Sequence, residues 1–262
     1  MTQLSPRHPR YRSLRVRARL AEAMLEGVVA PEGLIAQGRA EAFDYFLGER
    51  TSPAARAAIH RAAQWVRSAE HPVLSVNGNV AALAAREVAA LARAYPRLGI
   101  EVNLFHRTDA RVRSVARVLR AAGVRRILGI HPDARIPNLP SDRALVDARG
   151  IGSADLCIIP LEDGDRAEAL RRLGRRVIAI DLNPLSRTAR AADLTIVDEL
   201  TRVLPQLTRE LRRRGRVGPP GFLPVDNHRL LEAALTTMGR RLARRVPRAR
   251  RRRTTRADAR PP

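Results

Sequence analysis

This chain of 262 residues contains no lysine; all 49 of its basic residues are arginine. That absence excludes a P-loop lysine, a pyridoxal Schiff base and a lysine nucleophile, so any phosphate must be held by arginine, a metal ion or backbone amides. Cysteine is almost absent as well. The single Cys157 lies in an apolar run, which excludes disulfides and multi-cysteine metal centres. No apolar run reaches membrane-spanning length and the polar N-terminus lacks a signal-peptide core, so a cytoplasmic location is expected. Neither G-x-G-x-x-G nor G-x-x-x-x-G-K-[ST] occurs, which disfavours a dehydrogenase or an ordinary P-loop enzyme. The six histidines are scattered without metal-ligand spacing. Only seven Phe and Tyr residues are present, and three of them, Phe43, Tyr45 and Phe46, fall together. Core packing is a commoner cause of such grouping than base stacking.

What the chain has in abundance is positive charge, a formal +23. From Gly239 to Pro262 there are eleven Arg against one Asp, so +10 of the total sits in the last 24 residues. Nucleic-acid binding through that tail is one reading, and an Ala- and Arg-rich codon bias is another.

Residues 1–69 read as an N-terminal helical arm on the core. The spacing of Leu14, Ala18, Ala21, Leu25 and Val28 predicts a helix over 12–29, with Arg17 beside its stripe. Ala30-Pro31-Glu32-Gly33 breaks it, and Gly38 loosens the next helix. Ser52-Pro53 is an N-cap followed by proline at the first helical position, with Ile59, Ala62, Ala63 and Val66 as the buried face and His60 and Trp65 as packing residues.

Residues 70–214 alternate apolar strands with amphipathic helices. Strands are expected at 73–76, 99–104, 126–130, 155–159, 177–180 and 194–197, and helices near 80–94, 109–122, 165–173, 186–191 and 199–214. Thr108 is the expected cap of the second of these helices, and Gly123 and Gly174 close the second and third. The stretch 131–153 is less regular. The fold class is therefore α/β, a parallel sheet flanked by helices. Residues 215–245 read as a linker and a last helix capped by Asp226, and 246–262 as a disordered Arg-rich tail.

Polar residues follow almost every strand, and in an open parallel sheet those loops line one ligand crevice. Val177-Ile178-Ala179-Ile180 is a buried strand that ends at Asp181, turns at Asn183-Pro184, and reaches Ser186-Arg187-Thr188 where a helix begins. Amides, hydroxyls and a guanidinium converging there suit a phosphate, and Asp181 suits a ribose hydroxyl. An ordinary strand–turn–helix with a satisfied Asp is the plain alternative. Asn77-Gly78-Asn79 opens a helix and could hold an anion, or be a tight turn without a ligand. Glu162-Asp163-Gly164-Asp165 offers carboxylates for Mg²⁺, or a solvated helix N-terminus.

Several blocks resemble one family. They are His8-Pro9-Arg10-Tyr11-Arg12-Ser13-Leu14, Gly33-Leu34-Ile35-Ala36 through Gly38-Arg39 to Phe43-Asp44-Tyr45, and Ser75-Val76-Asn77-Gly78-Asn79. Further blocks are Glu101-Val102-Asn103-Leu104-Phe105, Pro132 to Pro137, Pro160 to Arg166 and Ile180 to Thr188. In order from about residue 5 to 200, they are similar to the archaeal phosphopantothenate synthetases, the 4-phosphopantoate–β-alanine ligases of coenzyme A synthesis. The resemblance implies a homodimer with a Rossmann-like core that uses ATP and releases AMP and pyrophosphate. It implies ATP contacts at Arg17, Arg39, Asp181-Leu182-Asn183, Arg187-Thr188 and Glu199-Leu200. At 199 the family leads one to expect Asn, and a carboxylate cannot donate to a nucleotide as an amide does. Within that reading Arg17, Arg39 and Arg187 serve the phosphoryl transfer, Asn77, Asn79 and Arg107 the phosphopantoate, and Asp163 and Asp165 the Mg²⁺. Two other readings stand beside it: a basic nucleic-acid-binding protein, and another nucleotide-dependent transferase on the same scaffold. The tail adds the expectation of weak, nonspecific RNA contact.

Overall fold

The computed structural model describes residues 5–213 and 221–245. Three helices come first: α1 (Tyr11–Leu25), α2 (Pro31–Leu47) and α3 (Pro53–Ser68). Then follow β1 (Pro72–Val76), α4 (Gly78–Ala94), β2 (Gly99–Val102) and α5 (Asp109–Ala121). A small ladder of β3 (Ala134–Arg135) and β4 (Leu145–Val146) interrupts the alternation. It resumes with β5 (Leu156–Pro160), α6 (Gly164–Arg172), β6 (Arg176–Ile180), α7 (Arg187–Ala191), β7 (Leu194–Ile196) and α8 (Leu200–Arg212). The last helix is α9 (Asn227–Arg245).

Five strands form one parallel sheet, as the alternating pattern predicts; their order is β2-β1-β5-β6-β7, consistent with a Rossmann-like fold. Its strands bury both faces, with period-two alternation. Leu74, Ile100, Ile158, Ile178 and Leu194 point into the core shared with α1, α3, α4, α5 and α8. Val73, Cys157, Ile159, Val177 and Ala179 point the other way, onto α6 and the irregular 131–153 segment through Ile136, Val146 and Ile151. Cys157 is fully buried, which drives its thiol pKa up to about 12, so it packs as a small hydrophobe.

The caps expected at Ser52 and Thr108 form, and Asn77 and Ser186 cap their helices in the same way. Ser52, Asn77, Thr108 and Ser186 each accept a backbone N–H in the first turn of the helix they precede. Gly123 (φ +99°) and Gly174 (φ +74°) follow α5 and α6 in left-handed conformation. Asp226 accepts from Arg229 N at 3.1 Å ahead of α9. Leu231, Ala234 and Met238 of α9 pack with Ala40 and Leu47 of α2 and with Leu182 and Val197 beyond β6 and β7. No helix among the described residues is long and apolar enough to cross a membrane.

Three expectations change. The run 126–130 is not a sheet strand: it makes one parallel bridge, Glu101 with Leu128, and then Gly129 (φ +75°) turns it away. Gly38 does not interrupt α2, which runs unbroken from Pro31, at its first position, to Leu47. Trp65 is buried, donating to Leu223 O at 2.9 Å, but His60 is exposed and meets Glu210 of α8 at 3.0 Å. Residues 215–220 of the expected linker and the Arg-rich tail at 246–262 lie outside the described residues.

Glu101 of β2 anchors the irregular segment from beneath. Its carboxylate, wholly buried, accepts from Asp147 N at 3.2 Å and Ile151 N at 2.6 Å. A side chain at Gly129 would collide with the Val102 carbonyl and with Glu101, whereas Gly174 faces open space. We expect Gly174→Ala to cost about 1 kcal/mol, the penalty of the left-handed backbone alone. Gly129→Ala should cost at least twice that, about 3 kcal/mol, by urea unfolding. Burial raises the Glu101 pKa from 4.5 to about 7, against the hydrogen bonds and the Arg166 charge that lower it. The folded state thus binds this proton more tightly, so the contribution is complete below pH 4.5 and is lost as pH rises through 7. The loss is on the order of 3 kcal/mol. Urea midpoints of wild type and Glu101→Gln at pH 5 and pH 8 should therefore diverge, with the wild type falling further.

Candidate active site

Chain direction reverses between β1 and β5. From β1 the chain leaves through α4 to β2, and from β5 it leaves through α6 to β6 on the opposite side. The crevice outside the carboxyl ends of two such neighbours is where open α/β sheets bind ligands. Here Asn77 spans it. Its Nδ2 donates to Pro160 O and Leu161 O, both at 3.0 Å, while its Oδ1 accepts from Val80 N at 3.0 Å and caps α4. Leu161 holds a left-handed φ of +52°, a strained conformation for a branched residue, and strain of this kind gathers at functional sites.

α2 closes over this crevice. Asn79 Nδ2 donates to Gly33 O at 2.8 Å, and a side chain on Gly33 would strike Asn79. Gly78 likewise leaves no room for a side chain beside the Val28 carbonyl. The result is a cleft of about 380 Å³ lined by Gly33, Gln37, Arg39, Asn79, Arg111 and Arg143, with Phe105 and His106 at its side. Arg107 is not part of that lining. Its Nη2 donates to Gly129 O at 2.9 Å and Ile130 O at 3.0 Å, and burial lowers its pKa.

The cations that line the cleft beside Arg39 are therefore Arg111 and Arg143, which reading the sequence did not single out. Arg143 sits in an irregular segment, where no periodicity or motif marks it. Its guanidinium is gripped by Glu162, at 2.6 Å and 2.9 Å, and by Asp163 at 2.9 Å, and donates to Asn103 O at 3.2 Å. Glu162 also meets Arg166 at 2.7 Å, and Arg166 reaches Ser75 Oγ of β1 at 2.9 Å. Glu162 and Arg166 are wholly shielded from water along their side chains. With Nε and Nη1 engaged in this way, the guanidinium is fixed and Nη2 is the donor it has left for a carboxylate or phosphate.

Around β6 and β7 a second cleft of about 340 Å³ opens, lined by Gln37, Glu41, Asp44, Leu182, Glu199, Thr201 and Arg202 among others. Gln37 lines both clefts, so they share a wall on α2. Arg17 stands beside the second cleft in a bidentate pair with Glu41 at 2.8 Å and 3.0 Å. Burial pulls the Glu41 pKa up, but the bonds from Arg17 and Tyr45 outweigh it and leave the group below the usual carboxylate range. Asp181 accepts from Ser186 Oγ at 2.5 Å and Asn183 N at 2.9 Å, and burial raises its pKa although Arg39 is close enough to oppose it. Asn183 in turn accepts from Leu185 N at 2.9 Å. Leu182, between them, is buried against α2 and α9.

Arg187 and Thr188 line neither cleft. Arg187 is exposed and pairs with Asp165 at 2.6 Å and Glu168 at 3.2 Å, while the Thr188 hydroxyl donates to Glu162 O at 2.6 Å and ties α7 to the β5 loop. Glu199 is the N-cap of α8, accepting from Thr201 N at 2.7 Å and from the Thr201 hydroxyl, and Leu200 is buried behind it. Capping requires an acceptor, which Asn and Glu both supply, so Glu199 preserves the helix start while losing the amide donor. Burial raises the pKa of Glu199 as well.

The carboxylates expected to hold Mg²⁺ are arginine-bound, Asp163 to Arg143 and Asp165 to Arg187. Among the described residues no group of three His, Cys, Asp or Glu converges where a metal ion could sit. This donor set, as arranged, does not fit a resident metal ion.

Comparison with known proteins agrees with this architecture. The family model described as phosphopantothenate/pantothenate synthetase matches residues 54–238. A 4-phosphopantoate–β-alanine ligase of Thermococcus kodakarensis is 46% identical over 249 residues, covering 93% of this chain and 95% of its own. The enzyme of that name from Thermococcus onnurineus is 51% identical over 81% of each chain. The one from Methanosarcina mazei is 45% identical over 90% of this chain and 94% of its own. The chain belongs to the phosphopantothenate/pantothenate synthetase family.

Proposed function

We propose that this protein is an ATP-dependent ligase of coenzyme A biosynthesis that joins 4-phosphopantoate to β-alanine, giving 4'-phosphopantothenate, AMP and pyrophosphate. Besides family membership, one observation supports the reading most directly. Two clefts, one bearing Arg39, Arg111 and Arg143 and the other reaching Leu182 and Glu199, adjoin at a single wall on α2. A reaction that first couples an acid to a nucleotide requires two such neighbouring seats.

The carboxylate of 4-phosphopantoate attacks the α-phosphorus of ATP, and the bond to the β-phosphate oxygen breaks, releasing pyrophosphate. The β-alanine amine then attacks the acyl-adenylate and AMP leaves. Negative charge builds on the phosphoryl oxygens in the first step, where fixed guanidinium groups lower the barrier. We assign that task to Arg17, Arg39 and Arg187, with ATP also held by Asp181-Leu182-Asn183, Thr188 and Glu199-Leu200. Arg17 and Arg187 now serve Glu41 and Asp165, so ATP would have to draw each from its carboxylate. Asn77, Asn79 and Arg107 are assigned to 4-phosphopantoate. Asn77 and Arg107 act by shaping the loops, since their side chains are spent on carbonyls. Mg²⁺ belongs to the proposal only as a companion of the triphosphate; Asp163 and Asp165, held by Arg143 and Arg187, are not assigned to it, and no step is derived through it. A homodimer, a cytoplasmic location and weak RNA contact through the tail belong to the same proposal.

Purified protein given ATP, Mg²⁺, 4-phosphopantoate and β-alanine should form AMP and pyrophosphate only when both co-substrates are present, and Arg39→Ala should lower kcat/KM by about 10²-fold. ADP as the product would support the rival transferase instead. Deleting residues 246–262 should leave turnover unchanged while weakening any salt-sensitive RNA retention; loss of turnover on that deletion would count against a purely accessory tail.

A further inference from the structure

The face of α2 that overlies the sheet edge carries Gly33, Gln37, Glu41 and Tyr45 at four-residue spacing, hence in one line. The polar groups along and beside it are matched. The Gly33 carbonyl accepts from Asn79, Glu41 accepts from Arg17 and Tyr45, and Asp44 pairs with Arg202 at 2.5 Å. Gln37 differs. It is 6% exposed, and among the described residues its Oε1 has no hydrogen-bond partner. Buried acceptors are almost always paired in folded proteins, so one left open calls for an explanation. Gln37 is also the residue that lines both clefts.

We propose that Gln37 is the positioning residue for the amine of β-alanine, an inference that rests on the ligase reading above. At the junction of the two clefts the acyl carbon meets the α-phosphate. Both of those groups present oxygen acceptors, which an acceptor cannot bind. The donors arriving there are the N–H groups of the amine and the hydroxyl next to the substrate carboxylate. The amine matches the unpaired acceptor at the step where it is needed. A rotation of the Gln37 amide, which now buries Oε1, brings that oxygen to one N–H and aims the nitrogen lone pair at the acyl carbon. The C–N bond forms, the bond from the acyl carbon to the phosphate oxygen breaks, and its electron pair leaves on AMP. The ammonium loses one proton to water before attack and a second after it; Gln37 takes neither.

The test separates the two half-reactions in Gln37→Met, which keeps the volume and removes the acceptor, and in Gln37→Glu, which restores an oxygen. Exchange of labelled pyrophosphate into ATP, dependent on 4-phosphopantoate and run without β-alanine, should stay within about twofold of wild type in Gln37→Met. Its KM for β-alanine should rise at least tenfold, and Gln37→Glu should recover part of that loss. Wild-type β-alanine kinetics in Gln37→Met would overturn the inference. So would an equal fall in exchange, which would assign the acceptor to the substrate hydroxyl or to packing. No exchange in the wild-type protein would instead overturn the ligase reading, and this inference with it.

Discussion

The buried Glu162 carboxylate, clasped between Arg143 and Arg166, is the interaction on which the site depends. Through Arg166 it reaches Ser75 on β1, and through Arg143 it reaches the Asn103 carbonyl beyond β2. Its own backbone carbonyl receives the Thr188 hydroxyl from the first turn of α7. Strand β1, the chain beyond β2, the irregular segment that carries Arg143, and α7 are thus referenced to one residue. Taking such charges out of water costs several kcal/mol per ion before their attraction is counted. The arrangement is therefore weak as a source of stability and strong as a source of geometry: two guanidinium groups and a carboxylate can satisfy one another only in a narrow range of positions.

On that frame α2 acts as a lid fixed at both ends. Near its start the Gly33 carbonyl is held by Asn79, and the absence of side chains at Gly33 and Gly78 allows helix and loop to approach closely. Near its end Asp44 pairs with Arg202 of α8, and Gly48 terminates it in a left-handed turn. Arg17 of α1 is drawn to the same helix by Glu41. One helix consequently presents a wall to both clefts, which is why residues far apart in the chain, such as Asn79 and Glu199, line adjoining clefts.

Much of the architecture was legible before any coordinates. Runs such as Val177 to Ile180 are β-branched, short and bounded by turn residues, and local caps such as Ser52 and Thr108 depend only on neighbours in the chain. The misreading of 126–130 has a local appearance and a tertiary cause. Ile127, Leu128 and Ile130 look like a strand, but Glu101 and the Val102 carbonyl occupy the space a side chain at 129 would need, and the glycine there turns away. His60 looked like a core neighbour because periodicity locates a residue on a face without saying where that face ends.

The sequence by itself determined the α/β class, the polar loops after the strands and the absence of lysine or thiol chemistry, because these follow from composition, period and nearest-neighbour hydrogen bonding. Tertiary structure alone decided which arginines line the crevice. Arg143 enters it from an irregular segment, Arg107 is diverted to the 129–130 carbonyls, and Arg187 lies outside both clefts on Asp165. With 49 arginines of equal intrinsic charge, nothing in their spacing separates one from another. The choice is made by which carboxylates and carbonyls reach each guanidinium first, and those partners come from the far side of the fold.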